Sequence, residues 1–404
     1  MISVAEAQAR VLAAFAPLPA EVVALTDGLG RVLAEDVAAR LTQPPTRMAA
    51  MDGYAVRSAD IVTVPAVLRR VGEAPAGAAF DGVVGPGEAV RIFTGAPVPD
   101  GADAVVMQED TEADGDLVTI KFSVAPRRHI RESGIDFRAG EVGLAAGRLL
   151  STRDIGLAAA MNVPWLRVRR RPRVAILATG NEVVLPGDPV GPHQIVSSNA
   201  LAVAALVTAY GGVPMNLGVA LDTPESLREL IAGADRADLL VTSGGASVGD
   251  YDLVRSVLGD RGMELDFYKI AMRPGKPLMF GRFGNIPVLG LPGNPVSSLV
   301  CAILFLRPAL RSLQGLAPEE RAPMTAHLAV PLRANDQRQD YMRATLERDR
   351  GGELTAKPFE LQDSSLMTVL ARADCLVIRP PFAPPAVPGD VVEILSLSGG
   401  SISL

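Results

Sequence analysis

Residues 241–252 read VTSGGASVGDYD, and few folds accommodate that order. The apolar run ending at Val241 has the character of a buried strand, whereas Thr242-Ser243-Gly244-Gly245 is too rich in glycine to continue a sheet. Asp250 or Asp252 then stands where a helix through Leu253, Val254 and Val257 can begin. A strand, a glycine turn and a helix start aim free backbone N–H groups and the positive end of the helix dipole at one point, which favours an anion. The glycines let main chain approach a phosphate closely, and Ser243 and Ser247 can add hydroxyl donors. Taken alone, the same letters also make an ordinary loop between a strand and a helix.

The chain has 404 residues, more than the roughly 250–300 at which a single core stops growing, so several domains are expected. A net charge of −6 excludes a protein whose whole surface binds nucleic acid; any basic site must be local. The one basic cluster, RVRRRPR from Arg167 to Arg173, is either a solvated domain junction or a patch for a polyanion. Cys301 and Cys375 are far apart and lie in apolar runs, which points to buried thiols in a reducing compartment. His129, His193 and His327 have no ligand spacing, so zinc is not expected. No basic-then-apolar leader opens the sequence, and no apolar run is read as reaching the ~18 residues of a membrane span. A cytoplasmic protein that binds neither membrane nor nucleic acid is expected.

In chain order, Ser3-Val4-Ala5-Glu6 is a capping box that opens a helix with Val4, Ala7, Val11, Leu12 and Phe15 on one face. Residues 21–41 hold a second short periodic segment with Leu29, Val32, Leu33 and Val37. Residues 61–125 are short β-branched runs broken by glycine and proline, the pattern of a compact β domain. A helix is expected at 152–160. From Arg173 to Leu313 strands and helices alternate: strands at 174–180, 213–219, 238–242, 278–281 and 286–290, helices at 198–210, 225–233, 252–258 and from Pro295 to about Ser312. Alternation of this kind predicts a mostly parallel, doubly wound α/β sheet, which binds ligands beyond the carboxyl ends of its strands. Residues 319–404 return to β patterns and predict a small barrel or sandwich.

One edge of that sheet should therefore collect Thr179, Gly180 and Glu182, then Asp222, then Ser243, Gly244, Gly245, Ser247 and Asp252, then Pro292, Gly293 and Asn294. Lys269, Arg273 and Lys276 add three cations in eight residues. Helix N-termini and cations suit an anion with several phosphate-like oxygens, while three carboxylates beside it would repel it unless a divalent cation intervenes. Mg²⁺ is the natural candidate, since it binds through one or two carboxylates plus substrate oxygens. The expectation is a metal-assisted reaction on a phosphate-bearing ligand. Plainer readings stand beside each element: Glu182, Asp222 and Asp252 as helix caps, the cations as a solvated loop, and PGNP as a turn.

Seven segments then carry a resemblance: MDGYAVR (51–57), FTGAPVP (93–99), VVMQED (105–110), ATGNE (178–182), TSGGASVGDYD (242–252), MRPGKP (272–277) and LPGNPVSS (291–298). Their order resembles the molybdopterin molybdenumtransferases, bacterial MoeA and the E domain of gephyrin. The resemblance implies a Mg²⁺-dependent step of molybdenum cofactor synthesis in which adenylylated molybdopterin loses AMP and receives molybdate at its dithiolene. It implies four regions: a discontinuous molybdopterin-binding α/β domain (1–20 and 165–318), a helical and extended linker or dimerisation domain (21–41 and 140–164), a small β domain (42–139) and a C-terminal β barrel (319–404). It also implies a homodimer whose cleft joins the α/β and barrel domains of one subunit to the small β domain of the other. Further implied partners are the molybdopterin adenylyltransferase and molybdoenzyme chaperones.

By the same resemblance Asp52, Glu182, Asp222 and Asp252 are the catalytic carboxylates, the last three also metal ligands. Thr94, Thr179, Gly180, the SGG loop, Lys269, Arg273, Lys276 and the PGN loop contact substrate. Molybdate is seated by Arg273, Lys276, Arg343, Ser364 and Ser365. Arg273 stands where some members carry lysine, so a guanidinium fork replaces a point charge. Ser197-Ser198-Asn199, where many members have an Asp before the Asn, stays outside the catalytic set. Two other readings are a molybdopterin adenylyltransferase, which shares the TSGG-bearing fold, and a non-catalytic scaffold.

Overall fold

The computed structural model describes residues 1–244, 263–316, 324–348 and 351–397; Gly245, Ser247, Asp252 and the helix expected at 252–258 lie outside the described residues. A six-stranded sheet runs in the order Val213–Ala220, Arg173–Thr179, Leu239–Ser243, Ile286–Leu291, Met279–Phe283, Met263–Tyr268. Its first four strands are parallel. Met279–Phe283 reverses because only Gly284 and Asn285 join it to Ile286–Leu291, and so short a connection permits only antiparallel pairing. The Leu239–Ser243 strand is buried along its whole length, and separate cores cover the two sheet faces, as double winding requires.

The N-terminal helix Val4–Ala13 belongs to this core, which it enters through Val4, Ala7 and Val11. Ser3 caps it by accepting from the Glu6 N–H at 3.1 Å. Glu6 turns outward to Arg10. Helical structure runs from Pro295 to Leu313 through a π-helical stretch, Ala302–Leu306. Pro308 explains that stretch, since it has no N–H for the Leu304 carbonyl one turn back. Gln8 Nε2 donates to that carbonyl instead, at 3.1 Å, and ties the first helix to the Pro295–Leu313 run. The same run is apolar and long enough to cross a membrane by length and composition, which corrects the sequence expectation. About 67% of its most apolar window is buried inside the protein, so its apolarity is accounted for by the core.

Residues 21–41 depart from the helical periodicity. Ala20–Ala24 pairs with Trp165–Arg169 and Val37–Ala38 with Val142–Leu144. Gly28 and Gly30 interrupt any helix, and Gly30 adopts φ +70°, outside helical geometry. Val32, Leu33 and Val37 are still buried, and Leu33 and Val37 lie in a core shared with the helix Thr152–Ala160. The basic cluster is a junction: Arg167 pairs with Glu35, Arg169 donates to the Leu18 carbonyl at 3.1 Å, and Arg170 grips Asp238 through two bonds of 3.0 and 2.7 Å.

Residues in the 42–139 range build a second six-stranded sheet with a core on each face. At the C-terminal end five strands close into a barrel, because Gln339–Arg348 pairs with both Leu354–Pro358 and Cys375–Arg379. A two-residue strand of the 263–316 segment, Met272–Arg273, adds to that barrel in parallel with Gln339 and Asp340. Both cysteines are free and buried, as expected.

Candidate active site

The carboxyl edge of the α/β sheet gathers its expected residues by strand register. Thr179 lies opposite Ala220, Ala178 opposite Ser243, and Ser243 opposite Leu291, so the loops that follow these strands emerge side by side. Asn181 and Asp222 hold each other: the Asn181 N–H donates to Asp222 Oδ2 and the Asp222 N–H to Asn181 Oδ1, each at 3.0 Å. Asp222 thus keeps its other oxygen for solvent or ligand. Glu182 folds back over Gly180, whose φ of +136° favours glycine; a Cβ there would meet the Glu182 carboxylate at 2.4 Å unless that exposed side chain moved. Both carboxylates are exposed, and among the described residues neither is in an ion pair. Asp222 is therefore not a helix cap, a role that falls to Thr223, which accepts from the Ser226 N–H at 3.3 Å.

Gly244 has φ +92°, and a Cβ on it would lie 2.7 Å from the Thr179 carbonyl. This loop and the Pro292-Gly293-Asn294 loop touch: a Cβ on Gly293 would be 3.7 Å from the Gly244 Cα. Pro292 is buried beneath them, while Gly293 and Asn294 are exposed at the start of the Pro295 helix.

The barrel reaches the same edge. Asn294 Nδ2 donates to Ser364 Oγ at 2.7 Å, and the Val296 N–H donates to the Ser364 carbonyl at 3.0 Å. Behind it Arg343, only 1% exposed, donates from one terminal nitrogen to the Asp363 carbonyl at 3.0 Å and has no partner at Nε among the described residues. Burial lowers the Arg343 pKa from its ordinary value, but a guanidinium stays charged. Ser365 donates from its hydroxyl to Asp363 Oδ1 at 2.6 Å, and its N–H donates to the same oxygen at 2.8 Å.

The three cations part company. Arg273 pairs with Asp336 and with Asp340 at 3.3 Å, both carboxylates of the barrel segment. Burial raises the Asp340 pKa, and its Oδ1 has no hydrogen-bond partner among the described residues. Lys269 takes φ +80° and carries its ammonium 5.2 Å from the centre of the Tyr268 ring. Lys276 is exposed, and among the described residues no carboxylate pairs with it.

Asp52 and Thr94 meet in the small β domain, not at the sheet edge. Asp52 Oδ1 accepts from the Thr94 N–H and from its hydroxyl, each at 2.7 Å, and these bonds with nearby Arg91 hold its carboxyl below the usual range. Arg91 is a residue the sequence reading missed. It donates to the Gly53 carbonyl at 2.7 Å and to Gln108, and stacks 4.6 Å from the Phe93 ring centre. Asn199 is the other. Its Nδ2 lies 2.9 Å from Ser243 Oγ and 2.7 Å from the Gly293 carbonyl. The start of a helix beside a glycine loop was the available signal.

The fold and site define a class: a multidomain α/β protein with a molybdopterin-binding type of domain and a closed C-terminal barrel. Residues 2–162 match the MoeA N-terminal region (domain I and II), 175–312 the "Probable molybdopterin binding domain" and 325–397 the MoeA C-terminal region (domain IV). A molybdopterin molybdenumtransferase of Nostoc sp. is 42% identical over 74% of this chain and 70% of its own length. Molybdopterin molybdenumtransferase 2 of Mycobacterium tuberculosis is 38% identical over 92% of both chains. The crystal structure of a molybdopterin biosynthesis MoeA protein from Pyrococcus horikoshii superposes with a TM-score of 0.86 at 32% identity, covering 99% of this chain and 100% of that one. The chain belongs to the molybdopterin molybdenumtransferase (MoeA) family, a family of transferases.

Proposed function

We propose that this protein carries out the step its relatives are named for: it takes adenylylated molybdopterin, releases AMP and inserts molybdate at the dithiolene, completing the molybdenum cofactor. One arrangement supports the reading above others. Glu182, Asp222, two touching glycine loops and the barrel's Ser364 lie along one sheet edge. Main-chain N–H groups of the two loops, with Lys269 and Lys276, hold the oxygens of the phosphoanhydride. Water adds to phosphorus as the P–O bond to AMP breaks, and a carboxylate of the Glu182, Asp222 and Asp252 set takes the proton. Arg343, Ser364 and Ser365 seat molybdate as a tetrahedral oxyanion. Arg273 reaches it only as part of its pairs with Asp336 and Asp340. Asp52 and Thr94 complete the cleft from the partner of a homodimer.

Glu182 and Asp222 are exposed hard oxygen donors without a cation partner among the described residues, so they fit Mg²⁺, which takes one or two carboxylates plus substrate oxygens. Bound there, it would offset the repulsion between these carboxylates and the phosphates. Among the described residues no three His, Cys, Asp or Glu side chains form a metal-holding group, and Asp252 is the third ligand by resemblance alone. We further propose a cytoplasmic location and the four-region division given above.

The test is an AMP-release assay on adenylylated molybdopterin, with molybdate and Mg²⁺ added and withheld. Release that depends on both supports the transferase. Consumption of ATP with molybdopterin would indicate the adenylyltransferase, and no turnover would leave the scaffold. Light scattering on the purified protein tests the homodimer; a monomeric mass would remove Asp52 and Thr94 from the site.

A further inference from the structure

The helix Asn199–Ala209 starts between the two glycine loops, and its first residue touches both. Asn199 Nδ2 is 2.7 Å from the Gly293 carbonyl, which can only accept, so chemistry alone fixes which way the amide faces. The second hydrogen of the same nitrogen goes to Ser243 Oγ at 2.9 Å. Ser243 therefore accepts from Asn199, and its own hydroxyl hydrogen is directed elsewhere; among the described residues nothing receives it. Ser198, the residue before the helix, makes no side-chain cap, so the first-turn N–H groups are not spent on it. Thr179 Oγ1 and Ser197 Oγ, both in residues more than nine-tenths buried, have no partner among the described residues, and Thr179 Oγ1 lies 3.0 Å from where a Gly244 Cβ would stand. Hydroxyls buried beside a glycine loop without acceptors are costly unless a ligand or water completes them.

We propose that Asn199 is a positioning residue of this site: it ties the Ser243-Gly244 and Pro292-Gly293 loops at one separation and turns Ser243 into a donor for an oxygen of the bound phosphoanhydride. Asn199 itself spends both amide hydrogens on protein and does not touch substrate. The inference rests on the reading of the preceding section and adds to it a residue and a direction of hydrogen bonding.

The test compares kcat, KM for adenylylated molybdopterin and melting temperature in the wild type, Asn199→Asp, Asn199→Ala, Ser243→Ala and the Asn199→Ala/Ser243→Ala double variant. Asn199→Asp keeps the volume but removes both donors and faces a carboxylate to a carbonyl. It should raise KM about tenfold or more, the equivalent of one or two lost hydrogen bonds. If Asn199 acts through Ser243, the double variant should be little worse than Ser243→Ala alone. Wild-type kcat and KM in Asn199→Asp, or additive losses in the double variant, overturn the proposal. If Asn199→Ala does not fold, Asn199→Asp and Ser243→Ala still decide it. A wild type that releases no AMP refutes the underlying function instead, so the two failures are distinguishable.

Discussion

The α/β sheet edge and the adjoining barrel surface use the same charged residue types to opposite ends. At the edge, Glu182, Asp222 and Lys276 are exposed, with no ion-pair partner among the described residues. Across the joint, Arg273, Asp336, Arg338 and Asp340 are tied into one another. Exposed charges kept apart gain little stability where they stand, and they keep full hydration until a ligand replaces it. The barrel cluster has already made that exchange within the protein. On the proposed function, the contrast separates charges left open for a ligand from charges that hold two regions together.

Four experiments can break or sharpen this contrast. The largest effect is expected from Asp222→Ala and Glu182→Ala, each lowering AMP release about 10²–10³-fold, the range for loss of one strong electrostatic group, with melting temperature close to wild type. A large fall in melting temperature would move them to the structural side. Gly244→Ala comes next: its Cβ would strike the Thr179 carbonyl at φ +92°, so both activity and stability should fall, by about 1–3 kcal/mol in unfolding free energy. Lys276→Ala and Arg273→Ala then form a direct pair. Lys276→Ala should raise KM with stability unchanged, whereas Arg273→Ala strands half-buried Asp340 and should cost about 1–3 kcal/mol in denaturant unfolding. Equal profiles for the two variants would erase the contrast.

The smallest effect is on pH. Arg338, with Arg273 beyond it, pulls the Asp336 carboxyl down to about 2. A depressed folded-state value means stability is present above the unfolded value near 3.9 and is lost as pH falls through about 2. Asp336→Asn should therefore flatten the fall in melting temperature between those two values, and an unchanged slope would remove Asp336 from the cluster.

Much of this architecture was legible in the sequence, because glycine turns and helix starts are local. The strands leading to Thr179, Ser243 and Leu291, Pro224 in the first turn of its helix and the Pro295 helix start fall where periodicity and turn chemistry put them. The 21–41 segment misled because Leu29, Val32, Leu33 and Val37 mimic helical spacing while Gly28 and Gly30 forbid the helix. Arg273 looked like one of three equivalent cations, since its partners lie some 63 positions away and only barrel closure brings them near. Asn199 is visible in the sequence but stays outside the catalytic set, and its bonding is hidden for the same reason: its two acceptors lie 44 and 94 residues further on. Local grammar fixes where a loop begins, but not which distant atom finishes it.

The parallel pairing of Met272 and Arg273 with Gln339 and Asp340 reaches beyond the charges it carries. Together with the Val296 to Ser364 main-chain bond, it rivets the barrel to the sheet at two points. A jaw bolted on one side can widen only at the other, so on the proposed homodimer any breathing needed to admit a pterin or expel a nucleotide comes from the arm that carries the partner's Asp52. Labels on that arm and on the barrel would settle it: the hinge picture requires the first to travel during turnover and the second to stay put.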